Sequence, residues 1–132
     1  RTVNSHGNFT IPENFLVWHP TCHHDDSLLK RCEQFQKLDP QGQMPMLYVW
    51  GHSFEFERNN NWGLIEEFCK TIANDETIWY ATNIEVMDYI KAMKNLKFSA
   101  NQKMIFNPSA LSIWINADGK ALKIEGGKHI YL

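Results

Sequence analysis

The side chain best suited to chemistry is His52, which follows a short apolar run, Met46–Trp50, and then Gly51. Histidine titrates near neutral pH, so it is suited to give or take a proton during a reaction. An apolar run of this length predicts a buried strand, and parallel α/β proteins carry their active sites at the carboxyl ends of strands. His52 is therefore a candidate catalytic acid or base. The alternative is a histidine that only caps the strand or hydrogen-bonds a neighbouring loop.

A second group combines imidazole, thiol and carboxylate side chains in one short loop. Its members are His19, Cys22, His23, His24, Asp25 and Asp26. Such donors bind transition metals, but their spacing matches no zinc motif and adjacent histidines are not expected to point at one ion. The two aspartates also suit the start of a helix. We therefore expect no metal ligands in this chain, and His19, His23 and His24 are the residues to consider if the loop does hold an ion.

Three tryptophans lie at the ends of predicted strands: Trp18, Trp50 and Trp79. An aromatic face at such a position could stack on a sugar ring, whereas packing in the core is the ordinary role of tryptophan. We expect these three to bind substrate.

Glu55 and Glu57 alternate with phenylalanines. This alternation predicts that the two glutamates lie on the exposed side of an extended segment.

The elements that must position these residues repeat along the chain. Apolar runs at 15–18, 46–50 and 77–81 predict strands, and a helical apolar spacing follows each of them, at 27–38, at 62–73 and from Thr82 onward. Consecutive strand–helix units predict parallel strands with right-handed crossovers. The sequence therefore predicts an α/β fold with three βα units.

The pattern changes near residue 95. Residues 96–132 contain extended segments and an Asp118–Gly119 pair that is typical of a hairpin turn, which predicts a β-rich antiparallel extension. We expect one domain, with the βα units in 1–95 and the extension in 96–132 packed on them. A three-stranded parallel sheet leaves two apolar edges, so we expect a missing N-terminal half or a partner chain to complete it, and a start at Arg1 rather than Met favours the missing half.

Composition narrows the class of protein. A length of 132 residues, 43% of them hydrophobic, predicts one globular domain. A net charge of -2 without charged blocks gives no reason to expect a nucleic acid or membrane partner. The three cysteines show no disulfide spacing and favour a reducing compartment such as the cytoplasm.

Four segments together resemble the C-terminal half of a polysaccharide deacetylase-like protein of the carbohydrate esterase family 4 type. They are Arg1–Val3, Phe15–Asp26, Tyr48–Phe56 and Trp79–Asn83. That family has a distorted (β/α) barrel, binds a divalent metal through an aspartate and two histidines, and hydrolyses acetyl groups from amino sugars. The resemblance implies a carbohydrate substrate and a zinc-type mechanism.

The resemblance also implies roles for individual residues. His52 resembles the family's general acid, with Trp50 in place of a leucine, and Arg1 resembles the arginine that holds the catalytic carboxylate. The metal ligands and the base belong to the family's N-terminal half, so we expect the 132 residues alone to be inactive. Two alternatives stay open. One is a non-catalytic carbohydrate-binding module that uses the three tryptophans, and the other is a self-contained metal hydrolase that uses His19, His23 and His52.

Overall fold

The computed structural model describes residues 2–39 and 44–132. In this part of the chain it forms four α-helices and seven short β-strands, divided between two compact units, Arg1–Ile78 and Trp79–Leu132. The mixed α/β class is confirmed. The strands of the described residues form separate sheets of two, three and two strands and do not close into a barrel. No helix in the same ranges has the length and apolar character that crossing a bilayer requires.

The first unit is built around two short parallel strands, β1 (Cys22–His23) and β2 (Val49–Trp50). Helix α1 (Leu28–Gln36) lies between them in the sequence and packs on α3 (Trp62–Ile72). Helix α2 (Ser53–Arg58) begins almost directly after β2. A parallel pairing and the helices predicted at 27–38 and 62–73 are confirmed, but of the two strands only β2 lies where it was expected, and it is shorter than predicted.

The strand predicted at 15–18 was wrong. Asn14 accepts hydrogen bonds there from two N–H groups, from Leu16 to its side chain at 2.9 Å and from Val17 to its carbonyl at 3.0 Å. These local bonds fold the segment into a turn, because an asparagine side chain offers the backbone an alternative to a sheet ladder. The strand that pairs with β2 lies further on, at β1.

The strand predicted at 77–81 was also wrong. Asp75 accepts hydrogen bonds from the N–H and the hydroxyl of Thr77, and its carbonyl accepts one from the N–H of Ile78. The segment is thereby held in a local turn before α4 (Asn83–Lys94) begins. The described residues therefore contain two βα units where three were expected, and the strand of the first is β1 rather than the segment at 15–18.

The second unit joins α4 to five short antiparallel strands. They are β3 (Lys97–Phe98), β4 (Met104–Phe106), β5 (Ile113–Ala117), β6 (Lys120–Ile124) and β7 (His129–Tyr131). β4 lies between β3 and β7, while β5 and β6 form a hairpin. Asp118 and Gly119 have φ of 51° and 78° at its tip, the positive values that a type I′ turn requires. The antiparallel extension and its hairpin turn are confirmed.

Helix α4 belongs with these strands. The N–H of Trp114 in β5 donates a hydrogen bond of 3.0 Å to the hydroxyl of Tyr89 in α4. Ile90 of α4 is buried, as are Ile113 and Ile124 of the hairpin. The division between the two units therefore falls at residue 79, whereas the sequence pattern suggested residue 95.

The cysteines differ in part from expectation. Cys22 is fully buried in β1, and burial together with the charge of Asp26 raises the pKa of its thiol to about 11, although Arg31 opposes this. The helical apolar spacing predicts that Cys32 and Cys69 are small core residues, and Cys32 is buried accordingly, whereas Cys69 is exposed on α3. All three are free thiols.

Helix α4 begins with a capping box, which the spacing of Thr82 and Glu85 predicts and which gives a first testable result. The N–H and hydroxyl of Thr82 donate to Oε2 of Glu85 at 2.7 and 2.6 Å, and these hydrogen bonds lower the pKa of Glu85. Because the folded pKa is the lower one, the stabilisation is complete above the ordinary pKa of about 4.3 and is lost as the pH falls below it. We expect Glu85→Gln to destabilise the chain at pH 7 and to have little effect near pH 3.

Urea unfolding followed by circular dichroism at several pH values measures this difference. Thr82→Ala is the matched variant, since it removes the hydroxyl donor and should reduce the same pH-dependent difference. A Glu85→Gln effect of equal size at pH 7 and pH 3 would contradict the assignment.

Candidate active site

Three histidines meet at the carboxyl ends of the two parallel strands. His23 is the last residue of β1 and lies opposite Trp50, the last residue of β2. His24 follows, and its N–H donates a 3.0 Å hydrogen bond to the Trp50 carbonyl. His52 comes after Gly51 at the end of β2. Because parallel strands end at the same edge of a sheet, the pairing delivers all three imidazoles to one place.

Gly51 is required for this close approach. Its φ is +152°, and a Cβ added there would lie 1.9 Å from Cδ2 and 2.8 Å from Nε2 of His24. Glycine alone leaves room for the imidazole ring against the backbone. The glycine that ends β2 therefore determines where His24 can lie.

The carboxylate of Glu55 faces the histidines because of the way α2 begins. His52 occupies the N-cap position, and its N–H donates a 2.8 Å hydrogen bond to Oε2 of Glu55 in the first turn. This contact is half of a capping box, with histidine at the place that serine or threonine normally takes. The expectation that Glu55 lies on the exposed side of an extended segment was wrong.

One carboxylate oxygen lies within 3.3 Å of all three imidazoles. Oε2 of Glu55 lies 2.9 Å from Nε2 of His24, 3.2 Å from Nε2 of His23 and 3.3 Å from Nδ1 of His52. The rings of the two adjacent histidines are 4.3 Å apart with an interplanar angle of 34°. They point the same way because His24 lies in the turn beyond β1, where the alternation of a strand no longer applies. The two adjacent imidazoles thus converge on one carboxylate oxygen, an arrangement that the spacing of the histidines did not predict.

The arrangement holds Glu55 in its charged form. Burial raises the pKa of Glu55. The hydrogen bonds from His24 and from the N–H and ring of His52, together with the charge of His23, outweigh this effect and lower the pKa to about 2. The carboxylate is therefore ionised near neutral pH. It provides a fixed negative charge at the centre of the three imidazoles.

The three histidines differ in their surroundings. His24 is 2% exposed and lies on Phe56, with the ring centroids 4.2 Å apart. His23 packs edge-on against Trp50 at 4.5 Å, and its Nδ1 hydrogen-bonds Asp25. The side chain of His52 is 49% exposed, so His52 is the histidine most open to a substrate.

An open cleft of about 380 Å³ lies beside the cluster that His23, His24, His52 and Glu55 form. Its walls include His24, Trp50, His52, Phe56, Ile65 and Phe68. A mostly apolar hollow with a few convergent polar groups is the usual form of a small-molecule site. The cleft and the cluster together are the candidate active site.

The predicted substrate-binding tryptophans differ in their exposure. Trp18 is 4% exposed and packs against Phe15 and Tyr48, so it cannot present a ring face to a sugar and its assignment was wrong. Trp50 lines the cleft. Trp79 is exposed and belongs to the second unit.

Of the remaining candidate residues, some belong to the cluster and others do not. His19 hydrogen-bonds Thr2 at 2.7 Å and is not part of the cluster. His23, His24 and Glu55 present ligand atoms that all lie within 4.8 Å of one another, so they could hold a metal ion. Arg1 lies outside the described residues. Sequence reasoning missed the part played by Glu55, and the spacing from His52 to Glu55 was the signal that could have revealed it.

No protein-family model, curated protein or solved structure matches the chain.

Proposed function

We propose that this chain forms one wall of the active site of a metal-dependent deacetylase, which hydrolyses acetyl groups from N-acetylated amino sugars with His52 as general acid. The observation that carries the proposal is the contact between the half-exposed imidazole of His52 and the carboxylate of Glu55 at the edge of the cleft. A histidine oriented by a carboxylate, with one ring face toward a cleft, is the arrangement that proton transfer to a substrate needs.

The chemistry explains why a proton donor is needed at this position. Hydrolysis adds water to the acetyl carbon, breaks the carbon–nitrogen bond and leaves an amine that must gain a proton. Oε2 of Glu55 lies 3.3 Å from Nδ1 of His52, so in the proposed site it accepts the proton on that nitrogen and orients the ring. The proton on Nε2 is then the one given to the departing amine.

Trp50 provides the part of the site that takes the sugar ring. Its indole lies 6.0 Å from the ring of His52, centroid to centroid, and lines the cleft. Its Nε1 donates a 3.1 Å hydrogen bond to Oγ of Ser5, which fixes the orientation of the indole. A fixed aromatic face beside the proton donor would position the acetylated nitrogen near Nε2 of His52.

The remaining parts of the reaction are proposed to lie outside these 132 residues, in the N-terminal half of the same protein or in a second chain. A divalent metal, zinc by the resemblance, polarises the acetyl carbonyl and activates the water when bound. The complete fold would be the distorted (β/α) barrel of the resembling family. The parallel β1–β2 pair with its intervening helix α1 supports this, since such a barrel is built from βα units.

Titration with an N-acetylglucosamine oligomer, followed by NMR, tests the sugar-binding part of the proposal. We expect Trp50→Ala to weaken binding about tenfold, or about 1.4 kcal/mol, because the stacking face is lost. Trp114→Ala is the matched control, since Trp114 is 55% exposed but belongs to the second unit, and should leave affinity unchanged. Equal losses in both variants, or none in Trp50→Ala, would count against a sugar site in the cleft.

A further inference from the structure

We propose that His23, His24 and Glu55 together bind one divalent transition-metal ion, with zinc as the best match to these donors. This site lies within the chain and is separate from the metal whose ligands are expected elsewhere. It does not depend on the proposed deacetylation, because binding needs only these three side chains.

The first argument is the number of nitrogens around one oxygen. Four nitrogens lie within 3.3 Å of Oε2 of Glu55, namely Nε2 of His23, Nε2 of His24, and the backbone N and Nδ1 of His52. A carboxylate oxygen has two lone pairs, so four N–H donors would exceed its capacity. A cation shared by Glu55 and the Nε2 atoms of His23 and His24 would replace two of these four contacts with one, since each imidazole would then offer a lone pair in place of a proton.

The second argument is the distance between the donor atoms. Zinc bound tetrahedrally at about 2.0–2.1 Å places neighbouring ligand atoms about 3.3–3.4 Å apart. The two Nε2 atoms lie 3.2 Å and 2.9 Å from Oε2 of Glu55, and all three ligand atoms are within 4.8 Å of one another. The two oxygen–nitrogen distances differ from this spacing by about 0.1–0.5 Å. Two histidines and one glutamate also form a common ligand set of zinc sites that leave the fourth position open.

Contacts that fix the orientation of the two imidazoles also favour metal binding. Nδ1 of His23 hydrogen-bonds the carboxylate of Asp25, the outer-shell contact that metal-bound histidines usually make. His24 is held between the backbone of Gly51 and the ring of Phe56. Both imidazoles are therefore oriented before any ion arrives, which lowers the entropic cost of binding.

Bound metal would join the end of β1 to the first turn of α2. Since Glu55 also contacts His52, the ion would fix the carboxylate that orients His52. The proposed role of the ion is thus to hold the proton donor in place.

Metal analysis of the purified 132-residue chain tests the proposal. The chain is stripped with a chelator, reloaded with Zn²⁺, desalted and analysed for bound zinc, and Co²⁺ is used in parallel for its visible absorption. We expect one ion per chain. His23→Gln and Glu55→Gln should each lower the affinity by more than the ~10–100-fold that loss of an outer-shell partner costs, and Asp25→Asn should fall within that range.

Matched controls are His129→Gln and Glu66→Gln, an exposed histidine and an exposed glutamate outside the cluster, and both should bind zinc as the unmodified chain does. Circular dichroism confirms that each variant is folded. If Glu55→Gln fails to fold, His23→Gln and Asp25→Asn still decide the question. A folded chain that retains no zinc, or ligand variants that retain as much as the controls, would overturn the proposal and leave the imidazoles as hydrogen-bond partners of Glu55.

Discussion

Replacing Gly51 with alanine is expected to destabilise the first unit by about 2–6 kcal/mol, because a strained φ and an overpacked contact each cost about 1–3 kcal/mol. The added Cβ would lie 1.9 Å from Cδ2 of His24, and φ of +152° disfavours any side chain. His24 cannot move away, since it is 2% exposed and packs on Phe56. The cluster should therefore be disrupted together with the fold.

Urea unfolding measured by circular dichroism gives the free-energy change. Gly63→Ala is the matched control, because a Cβ on Gly63 in α3 meets nothing within 4 Å and alanine favours a helix by about 0.5–1 kcal/mol. In a His24→Ala background the Gly51→Ala change should cost less, since the clashing ring is gone. An unchanged unfolding midpoint for Gly51→Ala would show that the approach of His24 to the backbone is not as close as described.

Replacing His52 with alanine is expected to lower the rate of acetate release by about 10²–10⁴-fold, the usual contribution of a general acid. The effect should fall on kcat, with KM changed little, because the proton is transferred only in the transition state. His129→Ala is the matched control, an exposed histidine of the second unit. A His52→Ala variant with an unchanged kcat and a raised KM would give His52 a role in binding instead.

The position of His52 was predictable because its determinants are local. An apolar run that ends in glycine is readable from a single sequence, whereas the βα order predicted a parallel partner for that strand but placed it at 15–18 instead of at β1. The capping box at Thr82 and the hairpin turn at Asp118–Gly119 were predictable for the same reason, since each depends on residues within a few positions of one another.

The predictions were wrong where a polar side chain, or a residue far away in the sequence, determines the local structure or the burial of a side chain. Asn14 turns the chain where an apolar run suggested a strand, and Trp18 is buried because Tyr48, far along the sequence, covers it. The convergence of His23 and His24 on Glu55 depends on the strand pairing and on the start of α2 together. No local pattern contains both, so the cluster could not be predicted from the spacing of its members.

The measurement that tests the central claim most directly is acetate release by the full-length protein, loaded with zinc and supplied with an N-acetylglucosamine oligomer. The proposed function predicts acetate and free amine in equal amounts from the unmodified protein, and a loss of both in His52→Ala. A folded, zinc-loaded protein that releases no acetate from N-acetylated sugars, or a His52→Ala variant as active as the unmodified protein, would contradict it.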